Sequence, residues 1–284
     1  MIKKVAIVTD STGCLTDDLL KEYNIHTNYL NIIFGTSSYQ EFKEISSAKF
    51  IELMNAQEEL PTTSQPAPGV TMDLYESLLA NGYDEIIHIT ISSGLSGTYQ
   101  AALTAASNVK EGSIHVFDSK TVIFPQGAMA IAAAKLANSG HSVHEILTRL
   151  EEIKHENFIL GAVKNLDNLK KGGRLSNLQA YFGNLLNVKP IISMTEVGKL
   201  EAIEKVRTFK KALAHLIDET INANLDESYE LSIMHLENTS DAMTVLNALQ
   251  SAYPNHNIHL LPLSLVIGVH TGDGTVGVAW SKTN

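Results

Sequence analysis

Hydroxyl side chains are concentrated in one glycine-containing stretch, residues 92–98, which reads SSGLSGT. An apolar run that ends at Ile89 and Ile91 precedes this stretch, and good helix formers follow it from Tyr99 onward. A strand that turns into a helix in this way directs backbone N–H groups and serine hydroxyls to one point, close to the partial positive charge of the helix N-terminus. The stretch therefore predicts an anion-binding turn; the alternative is a plain strand-to-helix turn with a serine cap.

A second hydroxyl-rich segment, residues 61–69, reads PTTSQPAPG. Its three prolines oppose regular structure, so we predict a rigid loop whose hydroxyls and Gln65 amide are free to contact a ligand. Two shorter polar turns, at residues 10–13 and 118–119, also follow predicted strands. Because ligands of open α/β sheets bind at the carboxyl ends of the strands, we expect these two turns and residues 92–97 to converge on one site.

Signatures of catalysis are incomplete in this sequence. Residues 94–97 approach the G-x-S-x-G elbow of serine hydrolases, but Thr98 occupies the fifth position. A Ser-His-Asp hydrolase acting on acyl esters is kept as the alternative function, because His270 and several aspartates are available.

Signatures of cofactor and metal binding are also incomplete. Residues 272–277 match G-x-G-x-x-G, but no following helix, second strand and acidic residue complete a dinucleotide site, so we interpret them as a glycine turn between strands. The H-x-x-H pairs at residues 141/144 and 256/259 have no clear third ligand. We expect neither a cofactor nor a metal.

Two further features could contact an anionic ligand or a partner. His270 is predicted to lie in a glycine-rich turn after an apolar strand, where it could hydrogen-bond a carboxylate or balance its charge. Lys170, Lys171 and Arg174 form the densest basic patch of the chain. Such a patch is either a solvated loop or a surface for docking or phosphate recognition.

The composition limits the classes of function. The chain has 284 residues, is 44% hydrophobic and has a formal net charge of −10 with no long basic run, so we do not expect nucleic-acid binding. Because the long-range field of an acidic protein opposes an anion, local donors must hold one. We expect a cytoplasmic protein without stable membrane insertion, since no apolar run approaches the roughly 18 residues of a membrane span and the N-terminus lacks a signal-peptide pattern. The single cysteine, Cys14, excludes an internal disulfide.

Strand and helix patterns alternate through the first half, which predicts a mainly parallel sheet with helices on both faces. Apolar strands are predicted at residues 5–8, 28–34, 86–91 and 114–117, and helices include 126–138 and a helix that starts with the capping box 142–145. The second half contains a strand at 158–163 and a hairpin formed by 190–194 and 200–206. The predicted fold class is α/β, with an N-terminal α/β domain at 1–160, a C-terminal α/β domain with a mixed sheet at 161–284, and a ligand site between them.

Five short motifs occur in a fixed order along the chain: TDST at 9–12, TSQP at 63–66, SSGLSGT at 92–98, GGRLS at 172–176 and H-x-G-x-G-T-V-G at 270–277. Together they resemble the DegV family of bacterial fatty-acid-binding proteins over nearly the whole chain. Each motif alone is weak, and their combination is specific. Gly13-Cys14 and Asp273 depart from the residues that are more usual in this family.

The resemblance implies one long-chain fatty acid, such as palmitate or oleate, held between two α/β domains, and no catalysis by this chain. It implies that the carboxylate is bound by the first Thr of TSQP and a Ser of SSGLSGT. The residues implied for fatty-acid binding are Thr63, Ser96, Ser93, Ser64, His270 and Arg174. Some members present the fatty acid to a separate kinase that makes acyl phosphate for phospholipid synthesis. Lys170, Lys171 and Arg174 are therefore predicted to dock that kinase.

Overall fold

The structure is a computed structural model that describes residues 3–57, 59–164, 166–174 and 188–282. The strands are β1 (Val5–Asp10), β2 (Ile25–Asn28), β3 (Asn31–Phe34), β4 (Ser37–Gln40), β5 (Thr62–Ser64), β6 (Glu85–Thr90), β7 (Ser113–Asp118), β8 (Phe158–Ala162), β9 (Lys189–Met194), β10 (Leu200–Val206), β11 (Tyr229–His235), β12 (Ile258–Pro262) and β13 (Val276–Lys282). The helices are α1 (Asp17–Tyr23), α2 (Ser47–Ala56), α3 (Pro68–Ala80), α4 (Thr98–Asn108), α5 (Ile123–Asn138), α6 (Val143–Lys154), α7 (Asp167–Lys171), α8 (Phe209–Asn222), α9 (Thr239–Ala252) and α10 (Leu265–Thr271).

The first sheet contains β2, β1, β6 and β7 in that order, and all its strands are parallel. On one face, Ile7 and Ile87 pack against α5 and α6. On the other face, Val8 and Ile86 pack against α3 and α4. Because both faces are buried, apolar residues occur at consecutive positions, as in Ile86-Ile87 of β6 and at residues 6–8 of β1. The predicted parallel sheet between two helical layers is confirmed.

The second sheet has the order β10-β9-β8-β13-β11-β12 and is mixed, because only β11 and β12 pair in parallel. Alternate residues such as Leu160 and Val278 face α8 and α9. The residues between them, such as Ile159 and Ala279, pack with Leu30 of the N-terminal part. One face of this sheet therefore meets the first domain. The predicted hairpin is confirmed as β9 and β10.

A small antiparallel sheet, β4-β3-β5, corrects two predictions. The predicted strand at 28–34 is two strands, because the chain pairs with β1 up to Asn28 and with β4 and β5 from Asn31. The break is stabilised by the Leu30 N–H, which donates to the Ser11 hydroxyl at 2.9 Å. The predicted loop at 61–69 begins with β5, so Thr63 lies on a strand and pairs with Ile32.

The segment before residue 270 was predicted as a strand, and this prediction is wrong for its second half. Strand β12 ends at Pro262, and α10 begins after Ser264, whose hydroxyl caps the helix by accepting the Ile267 N–H. The buried carboxylate of Glu41 adds to this cap, since it accepts hydrogen bonds from the Ser264 hydroxyl (2.8 Å) and the Val266 N–H (3.1 Å). His270 therefore lies in the last turn of a helix, and the glycine turn at 272–277 joins a helix to β13.

The division of the chain at residue 160 stays a prediction. Strand β8, which belongs to the second sheet, begins two residues earlier, at Phe158.

Candidate functional site

A cavity lies between the two domains, and the empty space within it and in the solvent at its opening amounts to about 900 Å³. Both domains contribute apolar side chains to it. These include Leu30, Ile91, Leu95, Val122, Ile123, Ile159, Ile192, Met194, Leu200, Leu263, Val266 and Ile267. The cavity is suited to a largely apolar ligand.

The mouth of the cavity is polar. Thr63, Arg174 and His270 line both the cavity and an adjoining surface groove that contains Lys171. Ser96 also lines the cavity. Ligand atoms at the mouth would meet hydroxyls, an imidazole and a guanidinium, and atoms farther inside would meet aliphatic side chains.

Thr63 and His270, 207 positions apart in sequence, are joined by a hydrogen bond of 2.9 Å between Oγ1 and Nε2. Strand β5 positions the threonine and the end of α10 positions the histidine. Burial, with a smaller contribution from the Arg174 charge, lowers the pKa of His270 to about 4, so the imidazole is neutral at neutral pH. Its Nδ1 is buried without a hydrogen-bond partner among the described residues, next to Gly172, where a Cβ would collide with it.

Ser96 lies on the turn that leads into α4. Its hydroxyl is 2.9 Å from the Thr98 hydroxyl and accepts the Thr98 N–H at 3.3 Å. The Arg174 Nε donates to the Leu95 carbonyl (3.2 Å), so the arginine contacts the same turn. Its Nη1 donates to the Gly172 carbonyl (2.6 Å). The remaining residues of the GGRLS motif, 175 and 176, lie outside the described residues.

Ser93 points away from this arrangement. It is exposed, it is not among the residues that line the cavity, and its hydroxyl accepts the Lys120 Nζ at 3.0 Å. Lys120 in turn pairs with Asp118 at 2.7 Å. Ser64 does line the cavity. Of the two serines considered in the SSGLSGT turn, only Ser96 reaches the cavity.

The three turns come together, since the Ile91 N–H donates to Asp10 and the Ser93 N–H donates to Asp118, but residues 10–13 and 118–119 are not among those that line the cavity. The Asp10 carboxylate is buried and accepts hydrogen bonds from the Ile91 N–H (2.6 Å) and the Thr12 N–H (3.1 Å). Its role is to join two strand ends. The SSGLSGT turn is held from the other side by the β9–β10 hairpin, since the Ser92 hydroxyl donates to the Gly198 carbonyl at 2.6 Å.

Lys170 and Lys171 are exposed at the end of α7, and only Lys171 lines the groove. Arg174 is partly buried and bound to backbone carbonyls, so it differs from the two lysines. Asp273 is exposed and pairs with Lys164 at 3.3 Å, outside the cavity.

Three hydroxyl residues that line the cavity were missed from the sequence: Ser193, Thr271 and Thr275. Each hydroxyl hydrogen-bonds a backbone carbonyl, of Ile159, Ile267 and Gly272 respectively, at 2.8 to 3.1 Å. The two threonines lie inside the terminal motif, which was the available signal. Because their hydroxyl protons are already donated to these carbonyls, the three residues have no free hydroxyl proton for a ligand carboxylate.

Within the described residues, no group of three or more His, Cys, Asp or Glu side chains could hold a metal ion. None of the helices in this part of the chain is long and apolar enough to cross a membrane.

A family model with the description "Uncharacterised protein, DegV family" matches residues 4–283. The chain belongs to the DegV family. A DegV domain-containing protein of Halalkalibacterium halodurans is 37% identical over 278 residues, which cover 98% of each chain. The family resemblance of the sequence motifs is therefore confirmed.

Solved structures of DegV proteins have the same fold. The structure of DegV from Bacillus subtilis, described as a fatty acid binding protein, has a TM-score of 0.90 and 35% identity and covers 99% of both chains. A fatty acid binding DegV family protein from Streptococcus agalactiae has a TM-score of 0.91 and 29% identity, covering 99% of this chain and 100% of its own. The two-sheet α/β architecture of this chain is thus shared with these relatives.

Proposed function

We propose that this protein binds one long-chain fatty acid, such as palmitate or oleate, in the cavity between its domains. The observation that carries the proposal is an apolar cavity whose mouth holds hydroxyls, an imidazole and a guanidinium. A fatty acid has the matching distribution, with one charged end and a long apolar tail. Relatives of the same fold that are described as fatty acid binding proteins support the choice of ligand.

The carboxylate is held by Thr63 and Ser96, with Arg174 supplying the positive charge and Ser64 nearby. A buried carboxylate needs several donors, and hydrogen bonds to a guanidinium are among the strong ones. We assign the proton of the neutral His270 to Nε2, so that the imidazole donates to Thr63 Oγ1, 2.9 Å away, and leaves the threonine proton free to point at the ligand. In this arrangement the imidazole orients the Thr63 hydroxyl, and that hydroxyl donates its proton to the carboxylate. Ser93, tied to Lys120, supports the turn and does not bind the ligand.

The tail supplies most of the affinity. A sixteen-carbon chain buries about 14 methylenes, or about 11 kcal/mol gross at ~0.8 kcal/mol each. Lost translational and conformational freedom offsets a large part of this gain. The carboxylate site then fixes the direction in which the ligand enters.

The bound acid is presented to a separate fatty-acid kinase, which forms acyl phosphate for phospholipid synthesis in the cytoplasm. The carboxylate end lies at the mouth, beside the groove that contains Lys171. Lys170 is the preceding residue in the sequence. These two lysines are exposed basic groups on an acidic chain, so they suit an acidic surface of a partner. This chain contributes binding and no catalysis.

The competing function, a serine hydrolase, has less support from the geometry. The Ser96 hydroxyl hydrogen-bonds Thr98, and His270 hydrogen-bonds Thr63 instead of a serine. A nucleophile and its base should be within hydrogen-bond reach of each other.

The test is mass spectrometry of lipid extracted under denaturing conditions from protein purified without added ligand. We expect one intact long-chain fatty acid per chain, or full loading after incubation with palmitate or oleate. Repeated extraction without stoichiometric fatty acid, even after that incubation, would reject the proposal. Release of the acyl group from an added acyl ester by the purified protein would instead favour the hydrolase.

A further inference from the structure

Two glycines lie directly opposite each other on the sheet that forms one wall of the cavity. Gly161 of β8 pairs with Gly277 of β13, and both line the cavity. Directly opposed residues of antiparallel strands point to the same face of a sheet. The next pair on this face, Ile159 and Ala279, belongs to the core that joins the two domains. The glycine pair thus leaves a strip of bare backbone on the face toward the first domain.

The backbone conformation does not require glycine at either position. The glycines with positive φ near this wall are Gly272 and Gly274, and neither Gly161 nor Gly277 is among them. Crowding within the protein does not require glycine at residue 277 either. A Cβ there would meet the Leu160 carbonyl oxygen at 3.4 Å and the Met234 Cε at 3.7 Å, which are ordinary contacts.

Glycine inside a strand is unfavourable, because it loses more conformational freedom on folding and offers no side chain to pack. Where neither φ nor a neighbouring protein atom explains it, close approach of a ligand is the remaining physical reason for a strand glycine. At Gly161 a Cβ would lie 3.0 Å from Ile192 Cγ1, so a methyl group there would displace a side chain that itself lines the cavity.

We infer that the acyl chain of the ligand crosses the second sheet over the Gly161–Gly277 pair, in contact with bare backbone. This inference rests on the proposed fatty-acid binding and assigns a ligand contact to Gly277, the last residue of the motif at 270–277, and to Gly161, which lies in none of the five motifs. A methyl group on residue 277 would occupy space that the acyl chain uses. The carboxylate contacts at Thr63 and Ser96 would be unchanged.

The test is Gly277→Ala, measured by thermal unfolding of the ligand-free protein and by titration with palmitate. We expect a melting temperature equal to or above that of the parent, because the substitution restricts the unfolded chain at a compatible position. We expect palmitate affinity to fall about tenfold, because an extra methyl in a filled cavity forces the neighbours to move. Gly277→Val should bind more weakly still.

Gly69→Ala is the matched control. Gly69 is exposed in the first turn of α3, has no positive φ, and a Cβ there would meet nothing within 4 Å. This control should keep the parent's palmitate affinity. A structural role for Gly277 would lower stability together with affinity, whereas a ligand contact lowers affinity alone.

The outcomes separate the inference from the proposed function. If the parent binds palmitate and Gly277→Ala binds it equally well, the acyl chain does not cross the pair, and the proposed function stands. If the parent binds no fatty acid, both fail. If Gly277→Ala lowers the melting temperature, the glycine serves packing and its assignment is overturned. A Gly277→Ala variant that does not fold overturns the assignment for the same reason, and Gly161→Ala cannot replace it, because a Cβ there would displace Ile192.

Discussion

Removing the hydroxyl of Thr63 tests the proposed carboxylate site most directly. Thr63→Val keeps the shape and the β-branching that suit strand β5, and it removes only the oxygen that lies 2.9 Å from His270 Nε2. The lost interaction is a hydrogen bond to a charged group, worth about 1.5–3 kcal/mol. Fatty-acid affinity should therefore fall about 10- to 100-fold. The fold should survive, because Thr63 is only partly buried.

Ser96→Ala should weaken binding by a similar factor, since Ser96 is proposed to donate to the same carboxylate. The two losses should not add, because both hydroxyls serve one group and the remaining donors can shift toward it. Titration of a fluorescent fatty acid into the two single variants and the double variant gives the coupling directly. Ser64 and Arg174 remain in all three variants, so residual binding is expected.

Two results would refute this reasoning. If Thr63→Val and Ser96→Ala bind as tightly as the parent, the carboxylate is not held at these hydroxyls. If Ser96→Ala abolishes turnover of an acyl ester and leaves ligand binding intact, Ser96 is a nucleophile and the protein is an enzyme. A hydrolase and a carrier thus give opposite patterns with the same variant.

Three other perturbations probe the surroundings of the site. Burial raises the pKa of Glu41 to about 7 from its usual 4.5, so the contribution of the Glu41 side chain to stability is fully present below pH 4.5 and is lost as the pH rises to about 7, a change of about 3 kcal/mol. Glu41→Gln should remove this decline when the free energy of unfolding is measured by chemical denaturation across that pH range. A decline of the same slope in the variant would contradict the assignment. Lys170→Glu combined with Lys171→Glu should leave palmitate binding unchanged and lower acyl-phosphate formation by the kinase, and unchanged kinase turnover across salt concentrations would count against docking at this patch. Gly94→Ala should lower both the melting temperature and palmitate affinity, because its Cβ would overlap the Gly198 carbonyl. A variant with the parent's melting curve would show that the Gly198 carbonyl can move away without loss of stability.

Most of the fold could be predicted from the sequence, because the patterns that indicate its strands and helices lie within a few neighbouring residues. In the run at residues 86–91, the consecutive Ile86 and Ile87 point to opposite faces of the strand and both are buried, which is the pattern of a parallel sheet covered by two helical layers. The capping box at Ser142 and Glu145 is present as predicted. Such features depend on spacing within a few residues, which the sequence records.

The errors occurred where tertiary partners decide the local structure. The apolar stretch at 260–269 suits a strand or a helix equally well, and Glu41, more than 200 positions away, helps to cap the helix that forms. The segment at 28–34 splits because it pairs with two different sheets. Neither partner is visible in a short window of sequence.

The residues proposed for the site lie in motifs that the sequence shows, but their arrangement could not be predicted from it. The hydrogen bond between Thr63 and His270 joins residues 207 positions apart, and no local pattern encodes it. Ser93 and Ser96 are three positions apart in one turn, yet one faces Lys120 and the other faces the cavity. A difference of this kind depends on the turn's conformation, which is set by the hairpin that packs on Ser92.

The electrostatics of the mouth explains how an acidic protein can hold an anion. The net charge of −10 opposes a carboxylate at long range, but salt screens that field over about 8 Å, whereas the mouth acts at hydrogen-bond distance. Arg174 is the cationic side chain among the described residues that line the cavity, and its charge with burial keeps His270 neutral. A neutral imidazole avoids a second desolvated cation and still provides an N–H to orient Thr63. In the proposed complex the carboxylate meets one guanidinium charge and a set of hydroxyls, so the two opposite charges cancel at the mouth.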